Sequence, residues 1–319
     1  MHPAFSVIFF TTLSGAGYGL LAAIAIAILA QAFPARALLA LLVLALVMIT
    51  AGLLSSLAHL GKPQRAWRAM SQWRSSWLSR EGVMALLTYV PALGLGALLL
   101  PNLIAPDAQA PALHGNALGI AACVAAVAGA VLTIVCTAMI YASLKPVPAW
   151  RHALVVPAYL LFAWLCGGAL LAAGLVGLGA IGGAGSVLAA AVALAAIATG
   201  ATKLAYWRAI DRTPLTVTRG DAVGLPGRDV SVFERPHSED NYLTREMGFV
   251  VARKHARKLR AIALVLFAVL PLLLAVLAWL LPASAIVAFP LAALAALAGA
   301  VVERWLFFAE ARHLVTLYY

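Results

Sequence analysis

The sequence predicts an all-α polytopic membrane protein, a bundle of about eight transmembrane helices with both termini in the cytoplasm. Three observations carry that prediction. Of the 319 residues, 64% are hydrophobic and only 10% are charged. The apolar residues fall in several continuous runs that reach the roughly 20 residues needed to cross a bilayer core. The 22 Lys and Arg residues cluster between alternate runs instead of being spread evenly. Continuous runs of this length do not fit the alternating strands of a membrane β-barrel. Backbone within lipid must satisfy its own hydrogen bonds, so the runs are read as helices.

The first run spans 5–32 and contains Ser14-Gly-Ala-Gly-Tyr-Gly19. These glycines imitate part of a dinucleotide-binding fingerprint, but they lie inside a span and not after a strand, which points to close helix packing. The second run, 37–57, follows Pro34 and Arg36, and the third, 83–100, is closed by Pro101. The fourth is 118–142 and the fifth 153–175. A turn rich in glycine (Gly177, Gly179, Gly182, Gly183, Gly185) leads to the sixth, 187–206. The seventh is 261–281, stopped by Pro282, and the eighth is 285–302.

The chain is thus read as a single transmembrane domain over 1–319, with an insert at 207–258 between spans six and seven. That insert opens with Pro, Gly and mixed charge. It turns helix-like from Ser238, where Ser238, Glu239 and Asp240 suit a helix start and the later basic residues suit its C-terminal dipole or lipid phosphates. A basic juxtamembrane helix on anionic lipid and a docking surface for a cytoplasmic partner both fit it.

With eight spans, one side receives Lys62 to Arg80, Lys145, Arg151, the many cations from Lys203 to Arg260, and Arg304 and Arg312; the other receives Arg36 alone. Basic loops stay in the cytoplasm, so the net charge of +11 reports topology and calls for no nucleic acid. The expected location is the bacterial cytoplasmic membrane. Cys123, Cys136 and Cys166 are widely spaced inside apolar runs and suit neither disulfides nor a metal site. An iron–sulfur cluster would therefore belong to a partner. The N-terminus, with no basic region ahead of its apolar run, reads as mature sequence. No histidine falls mid-span, which argues against a haem held by two membrane histidines. No acidic residue or Lys sits at a span centre, which weakens an ion-coupled transporter.

The connector from Leu57 to Gly82, LAHLGKPQRAWRAMSQWRSSWLSREG, is where the chemistry is expected. His59 ends the second span and Glu81 opens the third. Antiparallel helix ends lie about 10 Å apart, so a base and an acid would face one another. A quinone head needs hydrogen-bonding partners and a proton donor or acceptor, which an imidazole and a partly buried carboxyl supply. Snorkelling and surface ion pairs explain the same residues more simply, and the aromatic belt accounts for Trp67, Trp73 and Trp77. Glu303–Arg304 reads as an interfacial ion pair, which if buried would be costly enough to suggest a role near the same site.

Ser56-Leu-Ala-His59-Leu-Gly61-Lys-Pro63-Gln-Arg65-Ala66, followed by Leu78-Ser79-Arg80-Glu81, resembles the integral-membrane anchor subunits of the DMSO reductase family. The resemblance extends to the eight-span plan and to a last span ending near Glu303, Arg304 and Phe307. It implies a three-part complex with a molybdopterin catalytic subunit and an iron–sulfur electron-transfer subunit. It also implies a quinone (menaquinone or ubiquinone) site in which His59 and Glu81 act, with Gly61, Arg65 and Trp67 shaping the pocket. Trp67 replaces a Phe of better-known relatives, and the 207–258 insert is longer than theirs. The cytoplasmic placement, the start MHPAFSVIFFTTLSGAGYGL and the stretch MGFVVARKHA look more like the branch attached to cytoplasmic sulfite dehydrogenases. The alternative readings are a transporter and an anchor without a quinone site.

Overall fold

The computed structural model describes residues 4–30, 33–58, 60–101, 116–213, 215, 217–234, 239 and 251–318. Eight helices are long and apolar enough to cross a membrane. They are α1 (Phe5–Leu29), α2 (Ala35–Leu57), α3 (Trp77–Leu99), α4 (Ala117–Ala142), α5 (Val155–Gly177) and α6 (Gly185–Arg212). A seventh, α7, joins Val251–Leu264, a π-helical turn at Val265–Val269 and Leu270–Leu280; α8 is Ala285–Ala309. No strand occurs among the described residues. The protein is a multi-pass membrane protein.

Helix α1 is the axis of the bundle, packing against α2, α4, α5 and α8. Its small residues make this possible, because without a hydrophobic force between helices in lipid, association depends on close backbone approach. A Cβ on Gly19 would overlap the carbonyl oxygen of Ala163 on α5, and Gly167 on α5 meets the backbone of Gly19 in return. On the α2 side, a Cβ on Gly52 would lie 2.6 Å from the Ser14 amide nitrogen. The Ser14–Gly19 stretch is therefore a double helix-crossing site.

Local signals set the ends and bends. Ser76 caps α3 by accepting from the Ser79 amide, and Asn116 caps α4 by accepting from that of Leu118. Gly179 and Gly182, at φ 63° and 51°, take left-handed conformations in the turn between α5 and α6, where a side chain would strain the backbone. The π turn in α7 stands immediately before the start of Leu270–Leu280, where Pro271 lacks an amide hydrogen. There Phe267 packs so closely that a Cβ on Gly299 of α8 would lie 2.5 Å from its amide nitrogen.

Successive helices alternate in direction, which gathers the start of α3 with the ends of α2, α4, α6 and α8 at one end of the bundle, the connector end. Ser55 Oγ donates to Ser6 O there, Tyr206 OH donates to Ala149 O, and Trp150 Nε1 donates to Phe307 O. The backbone amide of Leu314 reaches Pro146 O, so the C-terminal segment is tied to the α4–α5 loop.

Four helices run past the boundaries that hydropathy suggests. Helix α3 begins at Trp77, which places Glu81 one turn inside it. Helix α6 continues past 206 to Arg212, which sets Lys203 well inside it, and α8 continues to Ala309, enclosing Glu303 and Arg304. Helix α7 begins at Val251, so helices take both margins of the 207–258 insert. Ser238 and Asp240 of its expected helix start lie outside the described residues.

Candidate functional site

The connector folds as a run of 3₁₀ helix, Pro63–Gln72, laid against the start of α3. Ser79 Oγ donates to Ala69 O, and Met70 covers Gly82. Arg80 turns back onto the connector, donating from Nε to Trp73 O at 3.0 Å, with its guanidinium 4.3 Å from the Trp77 ring centroid. One residue on, a helix points elsewhere. Glu81 faces into the bundle, 5% exposed, and among the described residues its Oε1 has no hydrogen-bond partner. Tyr18 of α1 and Cys136 and Tyr141 of α4 stand within electrostatic reach of its carboxyl.

The other expected pocket residues lie apart from that carboxyl. Gly61, Arg65 and Trp67 are exposed on the connector, and Trp67, 64% exposed, carries the Arg68 guanidinium 5.5 Å from its ring centroid. Among the described residues no hydrogen bond or ion pair joins them to Glu81. His59 lies outside the described residues.

A second polar centre lies in α6 and α8. Lys203 Nζ is 2.5 Å from Glu303 Oε1, and Arg304 Nε is 3.3 Å from Glu303 Oε2; all three side chains are buried. Aromatic rings enclose the cations: Lys203 Nζ lies 4.0 Å from the Tyr206 ring centroid, and the Arg304 guanidinium 3.7 Å from that of Tyr159. Cation–π contacts of desolvated cations are worth about 2 kcal/mol, which helps explain how two cations and one carboxylate are tolerated together. Sequence reasoning missed this centre by counting Lys203 among loop charges and treating Glu303–Arg304 as interfacial. The signal was present: Glu303-Arg304 is followed by Trp305-Leu-Phe-Phe-Ala309, and Lys203 by Tyr206 and Trp207, so both lie within apolar sequence.

Beside the second centre, α1, α4, α5 and α8 line a cavity of about 20 Å³, with Thr12, Gly15, Tyr18, Thr137, Tyr159 and Arg304 among its walls. At the connector end of α6 and α7 a wider cavity, about 740 Å³, is lined by Lys145, Arg151, Arg212, Arg260, Glu310 and neighbours. Arg260 spans it, 2.6 Å from Asp211 and 2.9 Å from Glu310. Among the described residues no group of three or more His, Cys, Asp or Glu side chains could hold a metal ion.

Fold and site together define a multi-pass helical membrane protein that, among the described residues, holds an unpaired carboxyl at Glu81 and a paired charge cluster at Lys203, Glu303 and Arg304 inside the bundle. The profile of the DMSO reductase anchor subunit (DmsC) family matches residues 1–309, and the chain belongs to that family. It is also 35% identical over 335 residues to a sulfite dehydrogenase subunit of Allochromatium vinosum, covering 100% of this chain and 99% of that protein. The chain is thus a membrane anchor subunit of an oxidoreductase.

Proposed function

We propose that this subunit exchanges electrons and protons with a membrane quinone on behalf of an iron–sulfur electron-transfer subunit and a molybdopterin catalytic subunit, in the cytoplasmic membrane of a bacterium. The similarity to a sulfite dehydrogenase subunit favours sulfite as the substrate of the catalytic partner, with electrons running into quinone, ubiquinone or menaquinone. The observation that carries the reading is the Glu81 carboxyl, buried one turn inside α3 with Oε1 unpartnered. A buried polar atom without a partner is rare and costly, and in a membrane span it marks function before structure.

The residues present fit a quinone head. Reduction of a bound quinone takes up two electrons and two protons. Glu81 holds a proton at Oε1 and moves it to or from the ring oxygen. His59, assigned through the family resemblance, provides the facing hydrogen bond. Arg65, Gly61 and Trp67 lie on the connector leading to Glu81, where they shape the mouth and the approach of the partner. The low-dielectric surroundings of Glu81 keep water from competing for that proton.

The test is sulfite-dependent quinone reduction by the intact complex carrying Glu81→Gln. Glutamine keeps the shape and removes the exchangeable proton, so the complex assembles and quinone reduction falls by about 100-fold or more, the range of a positioned acid–base group. The Lys203–Glu303–Arg304 centre is the feature a transporter would share, since intramembrane charges also line ion paths. Purification separates the two: an anchor brings molybdenum and iron with it, whereas a transporter purifies without them.

A further inference from the structure

Five buried side-chain oxygens among the described residues lack a hydrogen-bond partner: Thr12 Oγ1, Tyr18 OH, Glu81 Oε1, Tyr159 OH and Glu303 Oε2. Their positions are connected. Thr12, Tyr18 and Tyr159 line the same small cavity, and so does Arg304, which is paired with Glu303. Tyr18 stands within electrostatic reach of Glu81. Thr133 approaches the Tyr18 hydroxyl, and Arg304 that of Tyr159, without either contact reaching hydrogen-bond geometry. Lys203, the other partner of Glu303, lies within electrostatic reach of Glu310, which lines the wide cavity at the bundle end. Three of the unsatisfied hydroxyls thus share one cavity with Arg304, and electrostatic coupling joins that cavity to Glu81 through Tyr18 and to Glu310 through Glu303 and Lys203.

Water is the ligand this chemistry selects. The small cavity, about 20 Å³, exceeds the roughly 10–15 Å³ that one water needs, and a buried water makes about three hydrogen bonds to otherwise unsatisfied groups. Three hydroxyls and a guanidinium around one space provide them. Hydroxyl and water chains of this kind pass protons by each member giving one O–H hydrogen onward and receiving another.

Resting on the reading of Glu81 given above, we propose that the α1–α4–α5–α8 cavity holds water that links Glu81 to the Lys203–Glu303–Arg304 centre as a proton relay. A proton given up by Glu81 is replaced through Tyr18 and the cavity water. That water is replenished past Tyr159 and Glu303 from the open cavity at Glu310, so each site ends with the number of protons it began with. The buried ion triad then serves as the inner gate of this relay, and Tyr159 and Tyr18 are positioning residues for the water.

Two variants test it in the intact complex. Tyr159→Phe keeps the ring under Arg304 and removes only the hydroxyl. Gly15→Val fills the cavity from α1, where a Cβ meets nothing within 4 Å. Both are expected to lower sulfite-dependent quinone reduction by about tenfold or more, below the full effect of a positioned acid–base group, and to enlarge the solvent deuterium isotope effect. Affinity for a quinone-site inhibitor and electron delivery to an artificial dye stay unchanged. Infrared difference spectra of the wild-type complex in H₂¹⁸O carry the shifted O–H stretch of an internal water, which Gly15→Val removes. Unchanged turnover and isotope effect in both variants would overturn the relay, as would a tenfold loss of inhibitor affinity in Tyr159→Phe, which would make the cavity part of the quinone pocket itself. Full activity of Glu81→Gln is a separate result: it removes the proposed function, whereas failure of these two variants alone leaves that function standing.

Discussion

Glu81 and Glu303 are carboxyls buried to nearly the same degree, at 5% and 1% exposure, yet they sit in opposite electrostatic situations. Glu303 has a lysine on one oxygen and an arginine on the other, inside a shell of aromatic rings. Glu81 has the guanidinium of Arg80 one residue away, but that group is spent on the connector backbone and the Trp77 ring. A paired buried carboxylate holds helices in place, and its removal strands two cations. An unpaired one contributes little to packing and is free to bind and release a proton. The comparison therefore assigns architecture mainly to α6 and α8, and quinone chemistry to the tip of α3.

The largest expected effect is on Glu303. Glu303→Gln leaves Lys203 and Arg304 buried without their anion and should destabilise the anchor by about 3–5 kcal/mol, the usual cost of breaking a buried ion pair. Thermal unfolding of the purified complex, or the amount of anchor in membranes, measures it. Lys203→Met leaves the Glu303–Arg304 pair together and should cost about 1–3 kcal/mol, the range for one lost buried polar contact. Adding Lys203→Met to Glu303→Gln removes one stranded cation, so the double variant should be more stable than Glu303→Gln alone. A double variant equal to the sum of the singles would dissolve the paired side of the comparison.

Smaller effects follow on more exposed groups. Arg260→Gln releases Asp211 and Glu310 at the bundle end, where the arginine is 15% exposed, and should lower stability by about 1 kcal/mol, the upper value for partly solvated pairs. The smallest effect concerns the one-turn helix Arg219–Ala222, capped by Thr218 and Asp221. Hydrogen bonds from the Thr218 backbone and hydroxyl hold the Asp221 carboxyl below its ordinary pKa. A carboxyl lowered in the folded state contributes stability that is present above its unfolded pKa and is lost as pH falls through the folded value. The protection of the Val223 amide, the slowing of its exchange relative to that of a free peptide at the same pH, should therefore be constant around neutral pH and fall only below about pH 4, the ordinary range of an aspartate.

Much of this architecture is legible in the chain before any fold is known. Length and apolarity dictate eight spans, and the glycines of Ser14–Gly19 read as packing residues, which is how Gly17 and Gly19 meet Ile49 and Ala163. Glu81 stands out because a carboxylate at the head of an apolar run demands a reason. What hydropathy conceals is the inside of the bundle. A window that averages over a helix sees Lys203 only as a cation near the end of a sixth span closing at 206, and the charge count then groups it with the basic loop that follows. In three dimensions Lys203 needs no solvent, because Glu303 on another helix, distant in sequence, neutralises it. Pairings of that separation leave no local pattern. Nor does one sequence show that Arg80 faces outward while Glu81 faces inward, since that depends on how α3 is rotated against α4.

The most direct measurement compares wild-type and Glu81→Gln complexes by the rate of sulfite-dependent quinone reduction per bound molybdenum, with electron delivery to an artificial dye as the internal control. An unpaired carboxyl that carries the quinone proton predicts normal metal content, a normal dye rate and quinone reduction lowered by about 100-fold or more. A Glu81→Gln complex that reduces quinone at the wild-type rate per molybdenum would contradict the account.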